Sequence, residues 1–363
     1  MFKKSLTLLT IASVLSMSLM ACGSKDAGKT DKKPAEVVLV TGMNSIDDKS
    51  FNQGAWEGLT QYAKEHNMET KYYDSPDSSE TSITSTLELA ISGGAKVVVC
   101  PGYLFEVPLN KVQEKHPDVN FILLDGAPHN GDYVPNINNN VAAFTYSEEQ
   151  SGFLAGYATV MDGNKKLGFM GGSAAPAVAR FGYGFVQGAE YAAKQLGLNK
   201  DDVTVDYTYV GSYEATPENQ SKAAAWYNKG IEVIFGCGGG LGNSVMSAAE
   251  AANKKVIGVD VDQSTESPTV ITSAMKNLSK SVYDALTAYY NGTLTTGVAT
   301  NLDITTGGVL LPMDTSVFTS FNKENYDSIC SDLVDGKISI LKNTDVDSVT
   351  KLPLELVKVT ELN

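Results

Sequence analysis

The chain has 363 residues and carries 28 Lys and Arg side chains against 42 Asp and Glu side chains, which gives a net charge of −14 at pH 7. A surface with this excess of acid repels nucleic acid and anionic lipid headgroups, so we expect no nucleic-acid partner. Four cysteines and three scattered histidines form neither a disulfide framework nor a metal-ligand pattern. We therefore expect a cofactor-free fold that is held together by apolar cores.

The N-terminus is typical of an exported lipoprotein. Two lysines precede the apolar stretch Leu6–Ala21, and Cys22 follows a Leu-Met-Ala run that resembles the bacterial lipobox. We expect residues 1–21 to be a signal peptide and Cys22 to carry a lipid that holds the protein on the outer face of the cytoplasmic membrane. An ordinary secretory signal with an incidental cysteine is the alternative. Residues 22–36 contain no aromatic side chain and almost no aliphatic one, which predicts a disordered tether.

The rest of the chain alternates between short β-branched runs and helical patterns, an order that is typical of βαβ units and parallel sheets. In chain order, the predicted strands are Val37–Thr41, Val97–Cys100, Phe121–Leu124, Leu167–Gly171, Val203–Tyr209, Val233–Gly236, Val256–Val259, Val270–Lys276 and Leu302–Leu310. The predicted helices are Phe51–Glu65, Asn110–Lys115, Gly182–Leu196, Gly242–Asn253 and Leu278–Asn291.

The second half of this pattern repeats the first. The five residues that begin with Phe51 (FNQGA) are similar to the five that begin with Phe185 (FVQGA). Likewise, Asp125 follows one apolar run and Asp260 follows the corresponding run in the second half. These repeats occur in the same order at nearly constant spacing, which predicts two similar α/β lobes. We assign residues 37–143 and about 275–305 to the N-terminal lobe, and residues 144–274 and about 306–363 to the C-terminal lobe. The strands Val270–Lys276 and Leu302–Leu310 are expected to cross between the lobes as a hinge.

Ligands of parallel α/β sheets bind beyond the carboxyl ends of the strands, so we expect a binding cleft between the lobes. Phe51 and Tyr213 follow strands or open helices and could present aromatic faces to a flat ligand. Packing against the core of its lobe is the alternative role for Phe51. Asp260 and Asp262 follow another strand, where a carboxylate can accept from two vicinal hydroxyls of a ribose. Lys276 ends the next strand and would balance their charge. Capping or solvation is the alternative role for Asp260.

The glycine-rich stretch after Val233–Gly236 lets the backbone approach a ligand closely, and we include Gly238 and Gly239 in the site. No G-x-G-x-x-G pattern can be drawn through it, which argues against a dinucleotide cofactor. Nor does the sequence contain a nucleophile elbow or a phosphate-binding loop. We therefore expect a binding protein and not an enzyme.

The sequence resembles the basic membrane protein family of lipoproteins, which includes purine-nucleoside-binding components of ABC importers. The matching motifs are Asp47-Asp48-Lys49-Ser50-Phe51-Asn52-Gln53, Phe153-Leu154-Ala155-Gly156, Ile257-Gly258-Val259-Asp260 and Ser273-Ala274-Met275-Lys276. The resemblance implies the type I periplasmic-binding-protein fold, with two Rossmann-like lobes of parallel strands joined by a multi-segment hinge.

The resemblance also implies roles for particular residues. Phe51 would stack on the base and Asn52 would hydrogen-bond to the ligand, while Asp260 and Lys276 would hold the ribose together with a glycine of the stretch that contains Gly238 and Gly239. Tyr213 takes the place where nucleoside-binding members usually have phenylalanine. Members place a base-reading carboxylate shortly before the Phe-Leu-Ala-Gly motif, and Glu148 is the best match. With Asp260, the carboxylates of Asp47 and Asp48 would disfavour nucleotide phosphates.

The sequence thus predicts a monomeric, lipid-anchored substrate-binding protein that captures a nucleoside, of purine type, and delivers it to the permease of an ABC importer. A sugar or signal-molecule receptor on the same fold is one alternative. A surface sensory or adhesive lipoprotein is another, and a hydrolytic nucleosidase is a third.

Overall fold

The computed structural model describes residues 35–42 and 45–362. The predicted signal peptide, Cys22 and the predicted tether up to residue 34 lie outside the described residues. Within those ranges, no helix is both long enough and apolar enough to cross a bilayer.

Strands and helices alternate along the described part of the chain. The strands are β1 (Val37–Thr41), β2 (Thr70–Asp74), β3 (Val97–Pro101), β4 (Asn120–Leu124), β5 (Val141–Tyr146), β6 (Lys166–Gly171), β7 (Thr204–Tyr209), β8 (Val233–Cys237), β9 (Lys255–Asp260), β10 (Val270–Lys276), β11 (Ala299–Leu302), β12 (Val309–Leu310) and β13 (Lys358–Glu361). The helices are α1 (Phe51–Glu65), α2 (Glu80–Ser92), α3 (Glu106–Val112), α4 (Glu148–Met161), α5 (Pro176–Gln195), α6 (Pro217–Asn228), α7 (Gly240–Ala252), α8 (Leu278–Tyr290) and α9 (Lys323–Val334).

The strands form two sheets, and each sheet is the centre of one lobe. The first sheet has the order β11-β5-β4-β3-β1-β2, with every neighbouring pair parallel. The second has the order β12-β10-β9-β8-β6-β7-β13 and is parallel except for the short β12. Helices cover both faces of such sheets, which is why central strands such as β1 (VVLVT) are buried at every position and apolar at every position but the last. The predicted α/β fold class, that of type I periplasmic binding proteins, is confirmed.

The chain passes between the lobes at three places. After β5 of the first sheet, α4 packs against α5 of the second lobe, and after β10 of the second sheet, α8 packs against α1 of the first lobe. The third passage joins β11 of the first sheet to β12 of the second. Glycines allow the exchanged helices to approach closely: a Cβ added at Gly58 would overlap the backbone of Ser279, and one added at Gly156 would overlap the carbonyl oxygen of Phe185.

The single strand predicted at Leu302–Leu310 is wrong. The segment ends β11, turns, and begins β12 in the other sheet. Asp303 makes the turn, because its side chain accepts from the backbone N–H groups of Thr305 and Thr306 at 2.9 and 3.2 Å. Gly307 follows with a φ of +70°, which a β-branched residue of a continuous strand would not adopt. The predicted crossing at Val270–Lys276 also differs, because β10 lies entirely in the second sheet and the chain crosses after it.

Several elements were missed or shortened by the sequence patterns. The helix predicted to begin at Gly182 begins at Pro176, and the edge strand β2 is largely exposed and carries no apolar run. The helix predicted at Asn110–Lys115 is α3, which begins at Glu106 and ends at Val112. The strands β5 and β13 and the helices α2, α4, α6 and α9 have no counterpart among the predicted elements.

The contact between α4 and α5 yields a stability prediction. Gly156→Ala should lower the free energy of unfolding by about 1–3 kcal/mol, because the new methyl group displaces the backbone of the facing helix. Gly242→Ala is the matched control, since a Cβ in this part of α7 meets nothing closer than 3.8 Å. The control should be neutral or stabilising by up to about 1 kcal/mol. Urea unfolding of both variants checks this, and equal stabilities would contradict the close packing.

Candidate ligand-binding cleft

A cavity lies at the carboxyl ends of the parallel strands of both sheets. The first lobe lines it with residues that follow β1, β3 and β4, and the second lobe with residues that follow β6, β7, β8 and β9. Lys276, the last residue of β10, lies in the wall beside the passage between the lobes.

The ammonium group of Lys276 is buried and surrounded by carboxylates. Its Nζ lies 2.6 Å from Oδ2 of Asp125, 3.3 Å from Oδ1 of Asp260 and 3.9 Å from Oε1 of Glu148. Asp125 directly follows β4 of the first lobe and Asp260 ends β9 of the second, so the lysine connects the two lobes. The side chain of Lys276 is 3% exposed and that of Glu148 is fully buried.

Burial and charge act in opposite directions on this cluster. Burial disfavours the ammonium form of Lys276, but Asp125, Asp260 and Glu148 together raise its pKa above the ordinary lysine value. Burial raises the pKa of Asp125 to about 7, Lys276 opposes the rise, and the negative charges of Glu148 and Asp260 add to it. The lysine is therefore charged at neutral pH, whereas Asp125 is poised to bind a proton.

The two aspartates that face Lys276 share an unusual backbone conformation. Asp125 has a φ of +62° and Asp260 a φ of +67°, in the left-handed region that aspartate tolerates better than bulkier residues do. This conformation turns the chain sharply at the end of each strand. Asp260 is further held by Ser50, whose hydroxyl donates to its Oδ2 at 2.5 Å across the boundary between the lobes.

The first turn of α1 presents Phe51 to the cleft. Asp48 caps this helix, because its carboxylate accepts from the backbone N–H groups of Ser50, Asn52 and Gln53 at 2.9 to 3.1 Å. Burial raises the pKa of Asp48 to about 6, although these three hydrogen bonds oppose the rise. The ring of Phe51 lies with its centroid 4.3 Å from Nζ of Lys276, a favourable cation–π distance.

Tyr213 forms part of the opposite wall. Its hydroxyl lies 2.5 Å from Oγ of Ser173, and its ring fits against two glycines. A Cβ added at Gly172 would come within 2.5 Å of the ring, and one added at Gly238 within 2.8 Å. Gly238 and Gly239 adopt positive φ values, +143° and +46°, which L side chains rarely adopt. The glycine-rich stretch therefore makes room for the Tyr213 ring and forms the cleft wall with its backbone.

Most of the residues predicted from the sequence come together at this cleft. Its lining includes Asp48, Phe51, Asn52, Tyr213, Gly238, Gly239, Asp260 and Lys276. Asn52 is buried, and its side-chain amide donates to the carbonyl oxygen of Ser45 at 3.4 Å.

Three predicted residues lie elsewhere. Asp47 is exposed and does not line the cavity. Asp262 accepts from the hydroxyl of Thr315 at 2.7 Å and from the backbone N–H of Ser264 at 3.0 Å, away from the cleft. Glu148 lies behind the cleft wall, where its Oε2 accepts from Nε of Arg180 at 2.5 Å.

The residues that sequence reasoning missed include four that matter for the chemistry of the site. Asp125, Phe181 and Tyr103 line the cavity, and Arg180 neutralises Glu148 behind it. The repeat that pairs Asp125 with Asp260 was a signal for the first of these. No local pattern marked Arg180. Among the described residues, no group of three or more His, Cys, Asp or Glu side chains is arranged to hold a metal ion.

Comparison with known proteins agrees with this architecture. The family model described as "ABC transporter substrate-binding protein PnrA-like" matches residues 35–344. The "ABC transporter nucleoside-binding protein BmpA" of Lactococcus lactis is 30% identical over an alignment of 363 residues, which covers 93% of this chain and 99% of the relative. "Basic membrane protein B" of Borreliella burgdorferi is 31% identical over 277 residues, covering 74% of this chain and 78% of the relative.

A solved structure is similar over most of its length. The solute-binding protein of an ABC transporter system from Aeropyrum pernix superposes with a TM-score of 0.74, covering 87% of this chain and 95% of the other. At 21% sequence identity, this likeness establishes the fold.

The ion cluster yields a second stability prediction. Lys276→Met should cost about 3–5 kcal/mol of the free energy of unfolding near neutral pH, because it leaves buried carboxylates without their cation. The loss should shrink at acid pH, since protonation then neutralises those carboxylates. The control is Lys280→Met, which removes an exposed lysine paired with Asp284 and should change stability by about 0.5 kcal/mol or less. Urea unfolding curves that show equal losses for both variants would contradict a structural role for the cluster.

Proposed function

The chain belongs to the Bmp family of PnrA-like ABC transporter substrate-binding proteins, as its motifs indicated, and we propose that it binds a nucleoside in the cleft around Lys276. A member of this family takes a small-molecule ligand and has the permease of an ABC transporter as its partner. The nucleoside, its purine type and the lipid anchor at Cys22 are our proposals. We further propose that the protein acts as a monomer on the outer face of the cytoplasmic membrane, with its lobes closing on the ligand.

One observation carries the nucleoside proposal: an aromatic face and a polar pair lie side by side in the cleft. Nζ of Lys276 is 4.3 Å from the centroid of Phe51 and 3.3 Å from Oδ1 of Asp260. A nucleoside has the complementary arrangement, with a flat base joined to a sugar that carries two vicinal hydroxyls. Asp260 would accept from these hydroxyls, Lys276 would donate to them, and the base would stack on Phe51.

The charge of the cleft supports a nucleoside over a nucleotide. Asp48, Asp125 and Asp260 line the cavity, and Lys276 is the only cation among the described residues that line it. This lysine is already bonded to Asp125 and lies within 3.3 Å of Asp260, so a phosphate would meet an excess of negative potential.

The position of Glu148 changes the proposed recognition of the base. Its carboxylate is fully buried and bonded to Arg180, so it supports Lys276 and would not reach a ligand directly. Asp48 and Asn52, which line the cleft beside Phe51, are better placed to meet the polar edge of the base. A purine offers Phe51 and Tyr213 more stacking area than a pyrimidine does, which favours purine nucleosides.

Isothermal titration with inosine, guanosine, adenosine, cytidine and uridine tests the proposal. We expect saturable binding, tighter for the purine nucleosides, and no binding of the corresponding monophosphates. Heat from a free pentose or hexose, with none from any nucleoside, would show that the cleft is a sugar site.

Phe51→Ala should weaken nucleoside binding by about 1–3 kcal/mol, because it removes the stacking face. The same titration measures the loss. Phe318→Ala is a matched control, since this ring packs against Phe321 in the second lobe and does not line the cleft. An unchanged affinity in the Phe51 variant would remove the stacking role.

Asp260→Asn should weaken the binding of a riboside by about 1.5–3 kcal/mol while changing the binding of the free base much less. The reason is that the charged carboxylate would accept hydrogen bonds from the sugar hydroxyls and would not contact the base. Asp262→Asn is the control, because Asp262 lies two residues away and bonds outside the cleft. If the Asp260 variant lost affinity equally for riboside and free base, its sugar role would be excluded.

A further inference from the structure

The buried groups around Lys276 do not balance in charge. Three carboxylates, those of Asp125, Asp260 and Glu148, share two cations, Lys276 and Arg180. Four of these side chains are less than a tenth exposed, and Arg180 is 19% exposed. If every group were ionised, the cluster would carry one uncompensated negative charge in a poorly solvated place, which is energetically costly.

Two oxygens of the same cluster accept no hydrogen bond from residues 35–42 and 45–362. They are Oδ1 of Asp125 and Oε1 of Glu148, both buried, while Oδ2 of Asp125 accepts from Lys276 and Oε2 of Glu148 accepts from Arg180. A proton on either carboxyl would remove the excess charge. Each of these oxygens also lacks the hydrogen bonds that favour the charged form of a carboxylate, which makes protonation easier.

From this charge imbalance and these two unpartnered oxygens, we propose that the cluster binds one proton, held on Asp125, and that ligand binding in the cleft drives its uptake. The first half of this inference stands on the unliganded protein. The second half rests on the proposed nucleoside function.

Asp125 is the member of the cluster that is best suited to hold the proton. Glu148 has Arg180 as a direct partner, and Asp260 accepts a hydrogen bond from Ser50 and lies 3.3 Å from Nζ of Lys276. Asp125 has Lys276 as its hydrogen-bonding partner, with Glu148 and Asp260 adding negative charge nearby. The other groups that face it are Tyr146 of β5 and Arg180 of α5, while Asp48 faces Asp260.

The direction of the coupling follows from burial. Burial raises the pKa of Asp125 to about 7 in the unliganded cleft. Asp125 lines the cavity, so a bound ligand excludes further water from it and raises its pKa above that value. Above about pH 7, the free protein has lost the proton and the complex still holds it, so binding takes up a proton. Affinity should then fall as the pH rises, by at most about tenfold per pH unit.

Two measurements test the inference. The first is a ¹³C NMR titration of the aspartate carboxyl carbons in unliganded protein, in which the signal that disappears in Asp125→Asn should titrate near neutral pH. A midpoint near the ordinary aspartate value of about 4 would overturn the proton site. This titration needs no ligand, so it decides the first half even if no nucleoside binds.

The second measurement is titration calorimetry with inosine in phosphate and in Tris, two buffers with different ionisation enthalpies. At about pH 8 we expect the buffer dependence of the heat to report uptake of close to one proton, and at about pH 6 much less. Asp125→Asn should abolish the uptake, and Asp262→Asn, outside the cleft, should retain it.

Different results of this calorimetric test would contradict the coupling, the assignment of the proton to Asp125, or the proposed function. Equal heats in both buffers at about pH 8 would overturn the coupling, and this comparison uses the unsubstituted protein alone. Uptake that is larger at about pH 6, survives in Asp125→Asn and disappears in Asp48→Asn would move the proton to Asp48 and overturn the assignment. Absence of any heat from inosine would instead contradict the proposed function, leaving the NMR titration to decide the proton site.

Discussion

The contact between the two lobes depends on the ion pairs that the buried ammonium group of Lys276 makes with carboxylates of both lobes. This ammonium group is in contact with carboxylates that close strands of both sheets, Asp125 in the first and Asp260 in the second, and with Glu148 at the start of the helix that passes between the lobes. An isolated ammonium ion or carboxylate in this position would be strongly disfavoured by desolvation. The groups therefore require one another, and the folds of both lobes must bring them together.

The repeat within the sequence explains how one lysine comes to serve both lobes. Asp125 and Asp260 occupy equivalent strand ends and adopt the same left-handed backbone conformation. The lobes face each other, so equivalent carboxylates approach from opposite sides, and the lysine that ends β10 lies between them. A ligand that engages Lys276 thus acts on both lobes at once, which is how a binding event could be coupled to their closure.

The sequence was most informative where the signal is local. The largely apolar run Val37–Thr41 matched the bounds of β1, because a strand covered on both faces is mostly apolar. Polar residues at strand ends, such as Asp260 and Lys276, could be placed at one edge of a sheet without knowledge of the tertiary structure.

Where prediction failed, the cause is a distant or conformational effect. Glu148 lies behind the cleft wall, where it accepts a hydrogen bond from Arg180. The two residues are 32 positions apart in the sequence, and no local pattern predicts that they pair. Asp262 is separated from Asp260 by a sharp turn at a positive φ, so the two carboxylates do not face the same space. The lipid anchor at Cys22 stays a prediction, since it lies outside the described residues.

The central claim is that the cleft around Lys276 holds a nucleoside by its base and its sugar together. A crystal structure of the protein with inosine tests this most directly. The account predicts the base against the ring of Phe51 and the vicinal hydroxyls within hydrogen-bond distance of Asp260 and Lys276. A nucleoside bound elsewhere, or one in the cleft with its sugar turned away from Asp260 and Lys276, would contradict it.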